Sequence, residues 1–250
     1  MAPGAEHQPG FARLAIAMNL SNPDSVKPNW KRYASAAYAS GLLRGLSLHF
    51  KYRRRTMIAS RPYAENLALL SVVLRNPALG DGAIIECGTW RGGMAAGMIE
   101  IGGPDRNYYF FDSFAGLPPA GPHDEARSHS AQPHDNCCAS LDEFRQTLTK
   151  TGVVAERIHI QQGFFEQTLP SFACPQIAVL RLDVDWYEST MICLETFWDF
   201  VLPGGLILID DYNAWQGCSK AVHAFLAKRD AKERLRHGPL ARVTYILKQA

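Results

Sequence analysis

The chain has 250 residues, of which 47% are hydrophobic and 20% charged, and it carries a net charge of +2. This length and balance are ordinary for one α/β domain with a short appendage, and no apolar run is long enough to span a membrane. The six cysteines match no zinc-binding spacing and no disulfide framework, and no signal peptide is visible, so we expect a reduced, cytoplasmic protein without a membrane partner.

The first 61 residues differ in charge from the rest and are predicted to form an N-terminal helical extension. They hold ten of the 26 lysines and arginines but two of the 24 acidic residues. Four prolines argue against a helix in residues 1–30, and helices are predicted at 31–48 and at 61–76. A basic cluster indicates either an anionic partner or a solvated, inter-subunit face; it consists of Lys51, Arg53, Arg54, Arg55 and Arg61.

From residue 83 onward, short apolar strands alternate with helices, and residues 62–250 are predicted to form one α/β domain. Strands are predicted at 83–87, 108–112, 158–160, 177–183, 206–211 and 243–247, and helices at 91–101, 140–150, 189–201 and 217–229. Near-continuous apolar strands separated by helices are typical of a mostly parallel sheet covered by helices on both faces. The segment 113–139 holds four prolines and three histidines, and is predicted to be a lid or a binding loop.

A glycine-rich turn follows the first predicted strand. It runs from Glu86 through Gly88 to Gly93, and its glycines permit a tight turn just before a helix N-terminus. Asp112 ends the second predicted strand, near the ~20-residue spacing expected for an acid that binds the hydroxyls of a nucleoside. Together these strand ends predict a nucleoside site, whereas a packing turn beside a surface acid is the alternative. The turn matches neither the dinucleotide fingerprint nor the phosphate loop.

Four acids follow the fourth and fifth predicted strands: Asp183, Asp185, Asp210 and Asp211. If these strands are neighbours, they lie about 4.8 Å apart and the carboxylates converge on one pocket. Carboxylates held together repel unless a cation neutralises them, and oxygen ligands that leave open positions suit Mg²⁺. Asp183 and Asp185 are two residues apart, so in an extended strand both would point the same way. The alternative, helix-capping acids that face solvent, explains one such acid better than four.

With these motifs the chain resembles the macrocin-type O-methyltransferase family, whose members methylate deoxysugar hydroxyls on antibiotics. The resemblance runs from about residue 56 to about residue 226, which is most of the chain. The segments that carry it are Thr56-Met57-Ile58, Glu86–Gly93, Phe111–Pro118, Gly163–Pro170, Leu180–Thr190 and Ile209–Tyr212.

The resemblance implies a class I methyltransferase sheet, with S-adenosylmethionine over the first two strand ends. It implies Mg²⁺ at the positions of Asp183, Asp210 and Asp211, with Asp185 at the position of the family's proposed base. Val184 stands where the family usually has glycine, and it could tilt Asp185. Family members form homodimers or homotetramers, often through the N-terminal segment. Including the turn and the acid that ends the second strand, the predicted cofactor-binding residues are Thr56, Glu86, Gly88, Thr89, Trp90, Asp112, Ser113, Ser140, Gly163, Phe164 and Phe165.

The sequence therefore predicts an enzyme that moves the methyl group of S-adenosylmethionine to a sugar hydroxyl of a small natural product. A metal would lower the pKa of that hydroxyl, and a carboxylate would take its proton. A catechol-type O-methyltransferase, acting on an aromatic vicinal diol, is the first alternative. A non-catalytic nucleoside-binding or assembly protein is the second, which the four intact aspartates disfavour. The acidic balance of residues 62–250 disfavours the third, a nucleic-acid methyltransferase. His134 is a candidate acceptor contact.

Overall fold

The computed structural model describes residues 30–124 and 137–249, with the side chains of the first helix from residue 36 onward. The predictions for residues 1–29 and for the centre of the 113–139 loop, including His134, concern residues outside this part of the chain.

Seven α-helices lie in the described residues. In chain order they are α1 (Trp30–Tyr52), α2 (Ser60–Val73), α3 (Gly93–Gly102), α4 (Leu141–Leu148), α5 (Phe165–Thr168), α6 (Tyr187–Phe197) and α7 (Gln216–Lys228). Periodicity predicts all of them except α5, which has a single turn and therefore no period to detect. Among these helices none combines the length and the apolar character needed to cross a bilayer.

Seven strands of the described chain form one sheet in the order β3-β2-β1-β4-β5-β7-β6. They are β1 (Ala83–Cys87), β2 (Tyr108–Asp112), β3 (Ile158–Gln162), β4 (Ile177–Leu182), β5 (Val201–Ile209), β6 (Arg236–His237) and β7 (Thr244–Leu247). Strands β1 to β5 are parallel, whereas β7 runs antiparallel to both of its neighbours, which confirms the predicted mostly parallel sheet. The sequence does not predict β6, because two residues are too few to show an alternating pattern.

Three of the predicted strand ends are wrong. β3 ends at Gln162 rather than at Ile160. β4 ends at Leu182 rather than at Asp183, and β5 ends at Ile209 rather than at Asp211. The acids therefore lie in the connections after the strands, where the chain is free to turn.

Buried side chains cover both faces of the sheet, because neighbouring positions on a strand point to opposite sides. On β2, Tyr108 and Phe110 face the layer formed by α1 to α4, and the Phe110 ring lies 5.4 Å from that of Phe144 on α4. Phe111 faces the layer that contains α6 and α7, with its ring 5.5 Å from that of Phe197 on α6. This arrangement confirms the predicted helices on both faces.

Helix α1 packs closely against α2. A Cβ atom on Gly45 would lie 2.7 Å from the Cα of Ala64, so glycine is required for this approach. Leu48 and Tyr52 are buried in the core, which explains why α1 extends beyond residue 48, its predicted end. The boundary between an extension and a domain at residue 61 stays a prediction.

A buried carboxylate joins α2 to the segment before β7. Glu65 is fully buried and accepts hydrogen bonds from the backbone N–H groups of Leu240 at 2.7 Å, Ala241 at 2.8 Å and Val243 at 3.0 Å. Tyr38 of α1 donates its hydroxyl proton to the same carboxylate. Because a buried carboxylate is stable only with such donors, Glu65 holds α1, α2 and the segment before β7 together.

Candidate functional site

A cavity opens at the carboxyl ends of β1, β2 and β4, where the sequence predicts the functional residues. β4 lies between β1 and β5, which confirms that the two acid-bearing strands are neighbours. The predicted residues that line the cavity are Gly88, Trp90, Asp112, Ser113, Gly163, Phe164, Phe165, Asp183 and Asp185. Met57, Glu166 and Ser189, for which no individual role was predicted, line it as well.

The glycine turn after β1 contacts the chain after β4 directly. Gly88 has a φ of +79°, and a Cβ atom built on it would lie 1.7 Å from the carbonyl oxygen of Asp183. The backbone N–H of Asp183 donates to the carbonyl of Cys87 at 2.9 Å. No side chain fits at position 88, so the turn and the first aspartate are held against each other.

Asp112, at the end of β2, stabilises the glycine turn after β1. Its Oδ2 accepts hydrogen bonds from the backbone N–H groups of Thr89 at 2.7 Å and Trp90 at 2.8 Å. Its Oδ1 accepts from the N–H of Phe114 at 2.7 Å. Asp112 therefore shapes the turn in addition to lining the cavity.

Four predicted cofactor residues lie outside the cavity wall. Thr56 accepts a hydrogen bond from the N–H of Ile58, and Thr89 is buried behind the turn. Ser140 caps α4 by accepting from the N–H of Glu143, as the Ser-x-x-Glu spacing favours. Glu86, the fourth, is fully buried below the turn. Their roles toward a cofactor stay predictions.

Three carboxylates come together beyond β4 and β5. One oxygen each of Asp183, Asp210 and Asp211 lies within 4.8 Å of the others, as the sequence predicts. Asp210 and Asp211 begin a 3₁₀ turn, which carries Asp211 into a buried position. Carboxylates this close repel one another unless a cation neutralises them, and Mg²⁺ prefers oxygen ligands, so the donor set fits Mg²⁺.

Asp185 reaches the cavity in a different way from the predicted one. The chain is not extended there, since Asp185 has a φ of +56° in the left-handed region. Its backbone N–H donates to Asp211 Oδ2 at 3.0 Å, which fixes this turn. Val184, which replaces the family's usual glycine, is buried in the core on the α6 and α7 face. The expectation of an extended strand through Asp185 is therefore wrong, although both aspartates line one cavity.

An arginine that the sequence analysis missed lies behind the acids. Arg181 on β4 is fully buried, and its Nη1 donates to Glu86 Oε1 at 2.8 Å and to Asp183 Oδ2 at 3.0 Å. Its Nη2 forms an ion pair with Asp210 Oδ1 at 2.9 Å. Asn66 of α2 adds a hydrogen bond to the same oxygen at 3.3 Å. The sequence does contain a signal, which is a basic residue inside an otherwise apolar strand. A buried arginine requires acidic partners.

Burial and mutual repulsion raise the pKa values of these acids. Burial, followed by the negative charge of Asp210, raises the pKa of Asp183 to about 6, although Arg181 opposes the shift. Burial and the charge of Asp183 raise the pKa of Asp185 to about 7. The pKa of Glu86 rises to about 8, again mainly through burial. The negative charge at this place thus exceeds what Arg181 neutralises, and a further cation would relieve it.

The start of the 113–139 loop is tied to the helices behind the cavity. Asp124 Oδ1 accepts from the N–H of Tyr187 at 3.0 Å, at the first residue of α6. A Cβ atom on Gly217 would lie 1.8 Å from that oxygen, so α7 needs glycine there. Lys220 donates to the carbonyl of His123 at 3.1 Å. These contacts fix the start of the loop beside the cavity. No sequence pattern predicts this role of Asp124.

The model of the family described as Macrocin-O-methyltransferase (TylF) matches residues 49–244 of the chain. The 8-demethyl-8-(2,3-dimethoxy-alpha-L-rhamnosyl)-tetracenomycin-C 4'-O-methyltransferase of Streptomyces olivaceus is 33% identical over 177 residues, which cover 68% of this chain and 67% of the relative. The mycinamicin III 3''-O-methyltransferase of Micromonospora griseorubida is 30% identical over 179 residues, which cover 68% and 69% of the two chains.

Among solved structures, the O-methyltransferase NovP is similar with a TM-score of 0.61 and 28% sequence identity. The match covers 73% of this chain and 80% of NovP. Sequence and structure thus agree in relating this chain to O-methyltransferases.

The contact at position 88 predicts a large loss of stability on substitution. Gly88→Ala would place a methyl group against the carbonyl of Asp183, so we expect the free energy of unfolding to fall by about 3 kcal/mol or more. Gly152→Ala is the matched control, because Gly152 has a φ of +75° with open space around it. Its loss should be about 1 kcal/mol. Urea denaturation measures both, and equal losses would contradict the close contact.

Proposed function

Because the chain belongs to the macrocin O-methyltransferase family, and is therefore an S-adenosylmethionine-dependent O-methyltransferase, we propose that its acceptor is a sugar hydroxyl of a small natural product and that the reaction uses Mg²⁺. An antibiotic glycoside is such an acceptor. The observation that carries the proposal is the meeting of the glycine turn, Asp183 and Asp185 in one cavity. The relative named for a rhamnosyl tetracenomycin supports a sugar as the acceptor.

We assign the cofactor to the part of the cavity over the glycine turn and Asp112. S-adenosylmethionine supplies an electrophilic methyl group on a sulfonium sulfur. The turn offers backbone at a helix N-terminus, and Asp112 holds that backbone in place. Phe164 and Phe165 form an apolar wall next to Gly163, which suits the flat face of a nucleoside base.

We assign the metal to Asp183, Asp210 and Asp211. Their oxygens are close enough for one ion, and their excess negative charge favours a cation. When it is bound there, Mg²⁺ lowers the pKa of an acceptor hydroxyl and orients it. The three carboxylates hold their positions through Arg181, Asn66 and the turn after β5.

Asp185 is the proton acceptor in this proposal. It lines the cavity next to Asp183, and the hydrogen bond from its backbone N–H to Asp211 Oδ2 fixes the turn that carries it. As the acceptor oxygen bonds to the methyl carbon and the carbon–sulfur bond breaks, the hydroxyl proton passes to Asp185. A pKa of about 7 suits this role, because a general base works best when its pKa lies near the operating pH.

An exposed apolar stripe on α1 supports the proposed homodimer or homotetramer. Leu43 is 72% exposed, Leu46 42% and Phe50 70%, at positions that share one face of the helix. Large exposed apolar patches typically mark interaction surfaces. One residue of the basic cluster has a partner within the chain, because Lys51 forms an ion pair with Glu100. The cytoplasmic location stays a prediction.

The function is tested with labelled S-adenosylmethionine and a panel of deoxysugar glycosides and catechols. We expect label to move to glycosides, to stop when EDTA removes divalent ions, and to return with Mg²⁺. Transfer to catechols alone would favour the aromatic alternative. Full turnover after exhaustive chelation, with no metal detected by elemental analysis, would remove the metal from the proposal.

The roles of the two cavity aspartates are separated by amide variants. Asp185→Asn removes the base but no metal ligand, so we expect kcat to fall by about 10²–10⁴-fold while calorimetry shows unchanged Mg²⁺ binding. Asp183→Asn should lose Mg²⁺ affinity as well. If the metal defect appears in Asp185→Asn instead, the assignments are reversed.

The α1 stripe is tested by placing charge on it. The double variant Leu43→Glu/Phe50→Glu should convert a wild-type dimer or tetramer into smaller species, because buried unpaired carboxylates oppose association. Val154→Glu is the control, since Val154 is 55% exposed elsewhere on the surface. Light scattering gives the masses. A double variant that keeps the wild-type mass would show that the oligomer, if any, uses another surface.

A further inference from the structure

We propose that Arg181 is a positioning residue of the metal site: it fixes the mutual orientation of Asp183 and Asp210, so that the second oxygen of each carboxylate is presented to one ion. The inference rests on the metal site of the proposed function. It assigns a role to a side chain that lies behind the cavity and does not line it.

The guanidinium of Arg181 spans two of the metal-site aspartates. A guanidinium is a rigid plane, so its two terminal nitrogens keep a fixed separation. One of them donates a hydrogen bond to Asp183 Oδ2 at 3.0 Å, and the other forms an ion pair with Asp210 Oδ1 at 2.9 Å. These two aspartates follow different strands, β4 and β5. Arg181 therefore sets the distance between two ligands that the backbone holds only separately.

Arg181 is itself held in place by a residue on the neighbouring strand. Its side chain is fully buried, and its Nη1 also binds Glu86 Oε1 at 2.8 Å on the neighbouring strand. Glu86 and Arg181 are directly paired in the register of β1 and β4. The guanidinium is thus anchored from behind by a residue on the neighbouring strand of the sheet.

Arg181 has two opposing effects on a bound cation, because it orients the ligands but repels the cation with its own charge. A positive charge near a metal site weakens cation binding, so removing it would tighten Mg²⁺ binding if charge dominated. Arg181→Lys separates the two effects, because it keeps the positive charge but cannot span Asp183 Oδ2 and Asp210 Oδ1. Residues that orient metal ligands from behind typically account for about 10–100-fold in metal affinity. We therefore expect the loss of Arg181 to weaken Mg²⁺ binding.

The test is a calorimetric Mg²⁺ titration of the whole protein, together with the rise in Tm on adding saturating Mg²⁺. The main variant is Glu86→Gln/Arg181→Met, which removes the guanidinium without leaving its partner acid buried on β1. Its Kd for Mg²⁺ should rise about 10–100-fold and its Mg²⁺-dependent Tm rise should shrink. Arg181→Lys keeps the charge, but one ammonium cannot span both carboxylates, so its Kd should also rise.

Two controls isolate the effect. Glu86→Gln alone keeps the bridge between the aspartates and should bind Mg²⁺ with a Kd close to that of the wild type. Arg106→Met removes an arginine that donates to the carbonyl of Gly82, at the opposite end of β1, and should leave Kd unchanged.

The results separate a failure of the metal site from a failure of the role proposed for Arg181. If the wild type binds no Mg²⁺, the metal part of the proposed function fails, and the role of Arg181 with it. If the wild type binds Mg²⁺ and the double variant binds it equally or more tightly, only the role of Arg181 is overturned. If circular dichroism shows the double variant unfolded, Arg181→Lys decides, and wild-type affinity in that variant would overturn the inference.

Discussion

A charged guanidinium is buried at the centre of the sheet, and the site around it follows from that constraint. Removing an ion from water costs several kcal/mol unless opposite charges surround it. Arg181 meets three carboxylates, that of Glu86 on β1, that of Asp183 just after β4 and that of Asp210 just after β5. A shift of β4 by one residue would turn the arginine toward the other, apolar face. The register of the central strands therefore determines whether Arg181 meets the acids.

Charged residues near the carboxyl edge of β2 and β4 continue apolar rows on one face of the sheet. Positions two apart on a strand point the same way. On β2 the row Tyr108 and Phe110 continues to Asp112, and on β4 the row of Val179 continues to Arg181. Each row is apolar until it approaches the carboxyl edge and then becomes charged. A methyl donor and an acceptor hydroxyl must meet in line, and this shared edge brings both binding regions to one cavity.

The sequence predicted the strand-end acids because an apolar run that stops at an acid is a local pattern. It did not predict the role of Arg181, because that role depends on which strands are neighbours and in what register, and a single chain segment contains neither. Asp185 shows a mixed case, since its place at the cavity was predicted from an extended strand but comes from a left-handed turn held by Asp211. Asp124 contacts Tyr187 across 63 positions, a contact without any local signature.

The order of strands has a consequence for synthesis. β7 lies between β5 and β6, although its residues are made last of the three. Until the ribosome has delivered Thr244–Leu247, β5 presents an unpaired edge, and the carboxylate of Glu65 lacks its three backbone donors, which lie 175 to 178 positions later. Unpaired edges are where nascent chains associate wrongly. Because β6 pairs only with β7, we expect the sheet to remain two strands short during that interval, and chaperone demand to concentrate there.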